Sequence, residues 1–287
     1  MSTGLATGTF DLPTWASLSP DEQRAAMRSA LSAGLDRDFD LDSESQVPAG
    51  WLTFALKHRA TGLLFQLVPG GRFDHGFTEG EEQALREELE SAGDPDAEAG
   101  LSHLDGLAAV ARPVVTTRVP AFLLATAPLG EPEIASLIGQ NPGGLLPQCV
   151  DSAGALALEA ALQKHGLRLP SEAEHEHAYR AGTQTPFPWG VTRPKSPRVH
   201  RTPFGLERVA ELAEVCADGW VPTLEGAPAD GSARSASAGP RVARGGSAAY
   251  WPWQGVGEWV QCLSAHRSAA TDHTGFLRVR PARSLPA

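Results

Sequence analysis

The sequence predicts an α+β fold with little regular secondary structure, preceded by a short N-terminal helical appendage. Helical periodicity is confined to a few short runs, whereas 30 Gly, 23 Pro and 7 Trp punctuate the 287 residues throughout. The candidate strands are short and adjacent in sequence, which suits a small twisted sheet rather than a parallel α/β core.

Taken in order, Ser19-Pro20-Asp21-Glu22 is a capping box with proline at the first helical position, and Gly34 is a natural stop. A helix is therefore expected over 20–33. Residues 36–50 are acidic and bounded by Pro and Gly, so they read as a linker. This places an appendage over 1–45 and the main domain over 46–287. The β-rich runs 51–57 and 62–68 read as paired strands, 81–91 as a polar helix and 93–100 as a loop. Another strand-rich stretch covers 114–125, and a short helix covers 131–138. Asp151 caps an Ala- and Leu-rich helix that ends near Gly166. Beyond Val191 regular signals thin out, and 226–246 reads as a Gly/Ala/Ser-rich loop.

The most specific run is 167–190, LRLPSEAEHEHAYRAGTQTPFPWG. Ser171 stands at a helix N-cap and Glu174 can close its capping box. Arg168, Glu172, Trp189 and Gly190 belong to the same run, which leaves its helix at Gly182 and enters a stiff Pro-Phe-Pro-Trp-Gly turn. Other segments follow in a fixed order: Leu67-Val-Pro-Gly-Gly-Arg-Phe73, 112–124, Thr202-Pro-Phe-Gly-Leu206 and Glu214-Val-Cys-Ala-Asp218. Arg241-Val-Ala-Arg244-Gly245-Gly246-Ser247 and Thr274-Gly-Phe276 complete the series.

Together these segments resemble the signature of the formylglycine-generating-enzyme, or sulfatase-modifying-factor, family over about 51–285. The long run is similar to that family's R-L-P-S/T-E-A-E-W-E…P-F/Y-P-W-G element. The resemblance implies a C-type-lectin-like domain. It also supplies the chemistry to look for. Members that make formylglycine hold Cu(I) on two cysteines of a G-G-S-F/Y-x-C-x4-C element, because a soft ion prefers thiolates. Here Tyr250 and Gly255 occupy those two positions. The family's calcium element is equally altered. Of its oxygen ligands the stretch 206–214 keeps Glu214 alone, and Arg208 places a cation near the first ligand position. No copper, calcium or other cofactor is therefore expected. His175-Glu176-His177 lacks the spacing of an iron motif, and residues two apart on a helix point in different directions. Packed histidines in place of the family's aromatics are the expectation there. Ser171 is explained by capping, and Asp272-His273 by solvation.

The vacated region is strongly aromatic. Tyr250, Trp251, Trp253 and Trp259 are four of the chain's nine Tyr and Trp residues within ten positions. With Arg267 they form the candidate ligand-binding groove, since exposed aromatics offer stiff contact area at low entropic cost. The expected function is a non-catalytic binding or scaffolding protein, a pseudoenzyme that recognises a protein, peptide or small ligand. The alternative is a divergent metal-dependent oxidoreductase acting on a thiol.

Charge and cysteine content set the remaining expectations. A formal net charge of -10 argues against nucleic-acid and anionic-membrane surfaces. Cys149, Cys216 and Cys262 are three, odd and scattered, which is no disulfide framework. The first fifteen residues lack a basic and then apolar leader, so a cytoplasmic location is expected.

Overall fold

The computed structural model describes residues 8–286 apart from 92, 94–96, 139–151, 194–199, 209–211, 236–238, 247–257 and 274–276. Among the described residues the chain forms seven α-helices and thirteen short strands, a mixed helix and sheet fold.

The N-terminal helices are α1 (Leu12–Ser17) and α2 (Pro20–Ser32). The Ser19 capping box forms as expected. Its hydroxyl accepts the Glu22 N–H, and the Glu22 carboxylate accepts the Ser19 N–H at 2.8 Å. The 36–50 linker is replaced by strand β1 (Phe39–Gln46), which pairs antiparallel with β2 (Leu52–His58). Its acidic composition reflects an edge strand whose side chains, Phe39 excepted, are exposed. Two exposed ion pairs, Arg59–Asp40 at 2.6 Å and Arg24–Glu44 at 2.7 Å, tie that edge to its neighbours.

Strands β3 (Leu64–Val68) and β6 (Phe122–Ala125), then β13 (Ala282–Ser284), extend β1 and β2 into one antiparallel sheet of order β1-β2-β3-β6-β13. The last strand of the chain thus completes a sheet that begins at residue 39. Strand β4 (Gly71–His75) pairs with β5 (Val115–Val119) as a separate ribbon. Between them lie α3 (Glu79–Ser91) and α4 (Ala97–Val110). Helix α4 takes up the second half of the expected 93–100 loop, residues 97–100. Gly100 and Gly106 lower its intrinsic propensity, so its stability comes from packing Leu104 and Leu107 into the core.

Helices α5 (Glu131–Ile138), α6 (Ser152–Lys164) and α7 (Glu172–Arg180) follow. Asp151, the expected cap of α6, lies outside the described residues. A small ribbon, β7 (His200–Arg201) with β8 (Glu207–Arg208), precedes β9 (Ala213–Gly219). Strand β10 (Arg241–Arg244) interrupts the expected 226–246 loop. It pairs with β9 and with β11 (Arg267–Ala269), while β12 (Leu277–Arg278) joins β9 in parallel.

The N-terminal segment shares the main core. Trp15 is 0 % exposed, donates its indole N–H to the Leu52 carbonyl, stacks on Phe10 and meets Phe54 edge-on. Gln23 in α2 is likewise buried, bonding Trp15 O and the Leu52 N–H. Trp15, Met27 and Leu35 lie in one cluster with Phe39, Phe54, Phe65 and Leu67. A second cluster joins α3 and α4 to Phe187 and Trp259.

This packing predicts that Trp15→Ala costs about 3–5 kcal/mol in guanidinium unfolding, as deletion of a buried aromatic does. A change below about 0.5 kcal/mol, the scale of a surface substitution, would restore the appendage reading.

Candidate functional site

Helix α7 is the centre of the molecule, and its composition is unusual for that place. All nine residues of Glu172–Arg180 are buried, yet seven of them are Glu, His, Tyr or Arg. Its start is as the sequence indicates. Ser171 accepts the Glu174 N–H at 3.0 Å, and Glu174 accepts the Ser171 N–H at 2.8 Å. The Ser171 hydroxyl also donates to the Gly231 carbonyl at 2.7 Å. Arg168 clamps Glu174 through two N–H donors at 2.6 and 2.7 Å and reaches Ser284 in β13. The helix ends at Ala181 in the left-handed region, φ 46°.

The buried charges of α7 are matched by arginines from other elements. Glu172 accepts from Arg267 Nε at 2.6 Å and from Arg244 at 3.1 Å. Glu176 accepts from Arg244 at 2.5 Å, Arg180 Nε at 2.9 Å and the Gly76 N–H at 2.9 Å. Arg180 continues to Glu81 of α3 at 2.6 Å. Three arginines thus face three carboxylates. A second unit is built on Glu214 of β9. It takes two bonds from Arg280, at 2.6 and 2.7 Å, with Tyr179 OH at 2.9 Å and His175 Nε2 at 3.1 Å.

These contacts set the protonation states. Burial alone would raise the three carboxyls, but the guanidinium charges outweigh it. Arg267 and Arg244 hold Glu172 at about 2, and Glu176 and Glu214 also stand below the ordinary carboxylate range. Asp218 is the acid left without a cation of its own. Burial, with Glu172 beside it, pushes it to about 7, although it accepts the Glu172 and Arg234 backbone N–H groups. Burial also lowers His75, His175 and His177, so each imidazole favours its neutral form.

The proposed groove residues fall into two groups. Tyr250, Trp251 and Trp253 lie outside the described residues, as does Ser247. Trp259 is 6 % exposed and packs between Phe187 and α4, with Arg193 over its ring at 5.4 Å. Its ring belongs to the core and presents no open face. Arg267, read from the sequence as a ligand contact, is buried under Trp220 at 4.5 Å and engages Glu172 and the Val110 and Val221 carbonyls. Its role here is internal. Trp189 is the more open aromatic at 38 % exposure. It stacks on Phe187 at 5.2 Å, and Gly190, at φ 124°, closes the turn with paired backbone bonds to Phe187.

Arg244 leads directly into Gly245, at φ 89°, and Gly246, where the aromatic segment begins. Where that segment returns, a cavity of about 320 Å³ opens between α4 and the stretch after Trp259. It is lined by Ser102, His103, Leu107, Val260, Gln261 and His266, among others. A larger cavity of about 410 Å³ lies beside the α7 cap, against Glu159, Gln163 and Ser232. Both are of the size that small ligands occupy.

Sequence reading placed Glu172, Glu174, Glu214 and Arg244 in structural motifs and paired only Glu174, with Ser171 in the cap. It missed Glu176, Arg180 and Arg280 as network members, and Asp218 as the perturbed acid. The alternation of Glu and His along 172–177 was the available signal, since no exposed amphipathic face can be drawn through it. His175 and His177 face different partners, Glu214 and the Pro69 carbonyl. Among the described residues no group of three His, Cys, Asp or Glu side chains could hold a metal.

No family model matches the chain, and no curated protein matches it in sequence. The fold is shared with solved structures. PvdO from Pseudomonas aeruginosa superposes with a TM-score of 0.55 at 19% identity, over 86% of this chain and 99% of that one. Variable protein 1 of Treponema denticola gives 0.54 at 16% identity, over 81% and 99%.

Removing one member of a buried charge pair strands the other. Glu214→Gln is therefore expected to lower stability by about 3–5 kcal/mol, while Glu214→Gln with Arg280→Met recovers most of it. Equal losses in single and double variants, measured by chemical unfolding, contradict a coupled pair. The depressed carboxyls also contribute stability that is complete above pH 4.5 and lost as the pH falls toward about 2.

Proposed function

We propose that this chain is a non-catalytic binding protein built on a formylglycine-generating-enzyme-like, C-type-lectin-like frame. It takes a protein, peptide or small ligand through the aromatic residues Tyr250, Trp251 and Trp253 of its sequence. The ordered series of sequence elements supports this frame, as does the likeness to PvdO, whose fold is of that kind.

The observation that carries the reading is the state of the described thiols. Cys216 is fully buried within β9. Burial, with Asp218 next to it, pushes its thiol well above the ordinary value. Cys262 is buried in the α3–α4 cluster. A soft metal and a redox step both require an accessible thiolate, whereas Cys216 favours its neutral thiol and both side chains are buried. Tyr250 and Gly255 stand where the family's copper ligands would be. Glu214, the surviving acid of the calcium element, has both oxygens engaged by Arg280, His175 and Tyr179.

The cavity beside α4 supports a binding role. Apolar Leu107 and Val260 line it together with His103, Ser102 and Gln261, a mixture suited to orienting a ligand. His266 and Arg267, at the start of β11, complete its lining.

Metal analysis after expression in copper- and iron-supplemented medium tests the reading. We expect well below one ion per chain and no O2 uptake with a thiol peptide. Stoichiometric metal with O2 consumption assigns the chain to the divergent oxidoreductases instead. In a second experiment, peptides are selected on the immobilised protein from a displayed library. The paired change Trp251→Ala/Trp253→Ala should weaken them at least tenfold, about 1.4 kcal/mol, without altering the melting temperature. Unchanged affinity excludes the aromatic segment from the site.

A further inference from the structure

Strand β4 ends on His75, whose imidazole is buried with neither ring nitrogen hydrogen-bonded. Its Nε2 stands 3.6 Å from Glu176 Oε2, within ion-pair range but too far for a hydrogen bond. That carboxylate is already engaged by Arg244, Arg180 and the Gly76 N–H. A buried ring left without a partner destabilises the fold unless something else depends on it.

Two more buried imidazoles stand on α7. His175 stacks on Tyr179 at 4.3 Å and bonds Glu214 through Nε2, which marks the Nε2–H tautomer. His177 likewise meets the Pro69 carbonyl at 2.8 Å, with Phe73 and Phe204 beside its ring. Charges face each ring from several elements. Around His75 these are Glu172 and Glu176 of α7, Arg244 of β10 and Arg267 of β11. Around His175 they are Glu214, Arg244 and Arg280. Around His177 they are Glu174 and Asp11. The arginines are already matched by carboxylates, so an added proton enters a balanced interior as an extra cation.

We propose that the junction of α7 with β4 is an acid-sensitive release point, at which His75 and His177 take up protons and free the β4–β5 ribbon from α7. His75 is the trigger, because it has no hydrogen bond to lose. This regulation does not depend on the binding reading.

The direction follows from burial, which depresses both imidazoles in the closed state. Above about pH 6.5 both states are unprotonated and the closed form keeps its full stability. As the pH falls below that, the open state binds more protons than the closed one, and each imidazole favours opening by at most about tenfold per pH unit. Among the described residues Asp218 bonds the Glu172 and Arg234 backbone N–H groups and nothing in the ribbon, so it stands outside this balance. The closed form therefore loses stability between about pH 6.5 and 5, before the carboxylates begin to titrate.

Hydrogen exchange read by mass spectrometry from pH 8 to 5, corrected for intrinsic rates, tests this. Protection over 71–77 and 172–180 should fall steadily across this range, while 52–68 stays protected. His75→Phe should make the fall shallower, by up to about tenfold per unit, and raise protection at pH 5.5. Flat protection, earlier loss over 52–68, or an unchanged slope in the variant would each overturn the proposal. Should the variant not fold, NMR titration of the native imidazoles decides it. His75 titrating near pH 6.5 in a closed molecule refutes the idea, and a fall of the titration below pH 5.5 upholds it.

Discussion

The fold depends on neutralising a charged helix in its own interior. Helix α7 touches β4, β5, β9 and β10, so it joins the β4–β5 ribbon to the four-stranded sheet. An apolar helix could fill the same space, but Glu172 and Glu176 occupy it and must be matched. Arg244, Arg267 and Arg180 converge on them from three directions in sequence, 4 to 95 residues away. Ion pairs of this kind add little net stability over apolar packing, because desolvation offsets their attraction. Their effect is on specificity. A register error in β10 or β11 would leave a buried charge alone.

The same balance explains the remaining titratable groups. Three arginines and three carboxylates close one unit, and Arg280 with Glu214 closes the second. Asp218 belongs to neither unit, and burial with Glu172 beside it raises it to about 7. Cys216, between Glu214 and Asp218 in sequence, lies in the same acidic neighbourhood and retains its proton. Among the described residues the interior acids are bound to arginines, the imidazoles of His75, His175 and His177 are buried and both thiols are enclosed.

Local signals were legible where one residue acts on its near neighbours. Ser19–Glu22 and Ser171–Glu174 are complete instructions for a helix start, because both partners lie within four residues. The antiparallel pair β2–β3 was legible for a similar reason, since a short turn joins it. Helix α4 was not, because its glycines and alanines are stabilised by Trp259, Leu89 and Phe77 from other parts of the chain. Strand β1 was hidden by its acidic, exposed side chains, which mark a protected sheet edge as readily as a linker. Arg267 and Trp259 illustrate the opposite error. Charge and aromaticity suggest a surface site, yet both are buried.

By itself, the sequence determined the mixed helix and sheet class and the caps of α2 and α7, because each is a property of residue identity or of short-range spacing. Only the tertiary structure decided which arginine meets which carboxylate, that the N-terminal helices share the main core, and that His75 is buried unpaired beside Glu176. Those outcomes depend on contacts between segments up to about a hundred residues apart, and burial is what gives such contacts their energy.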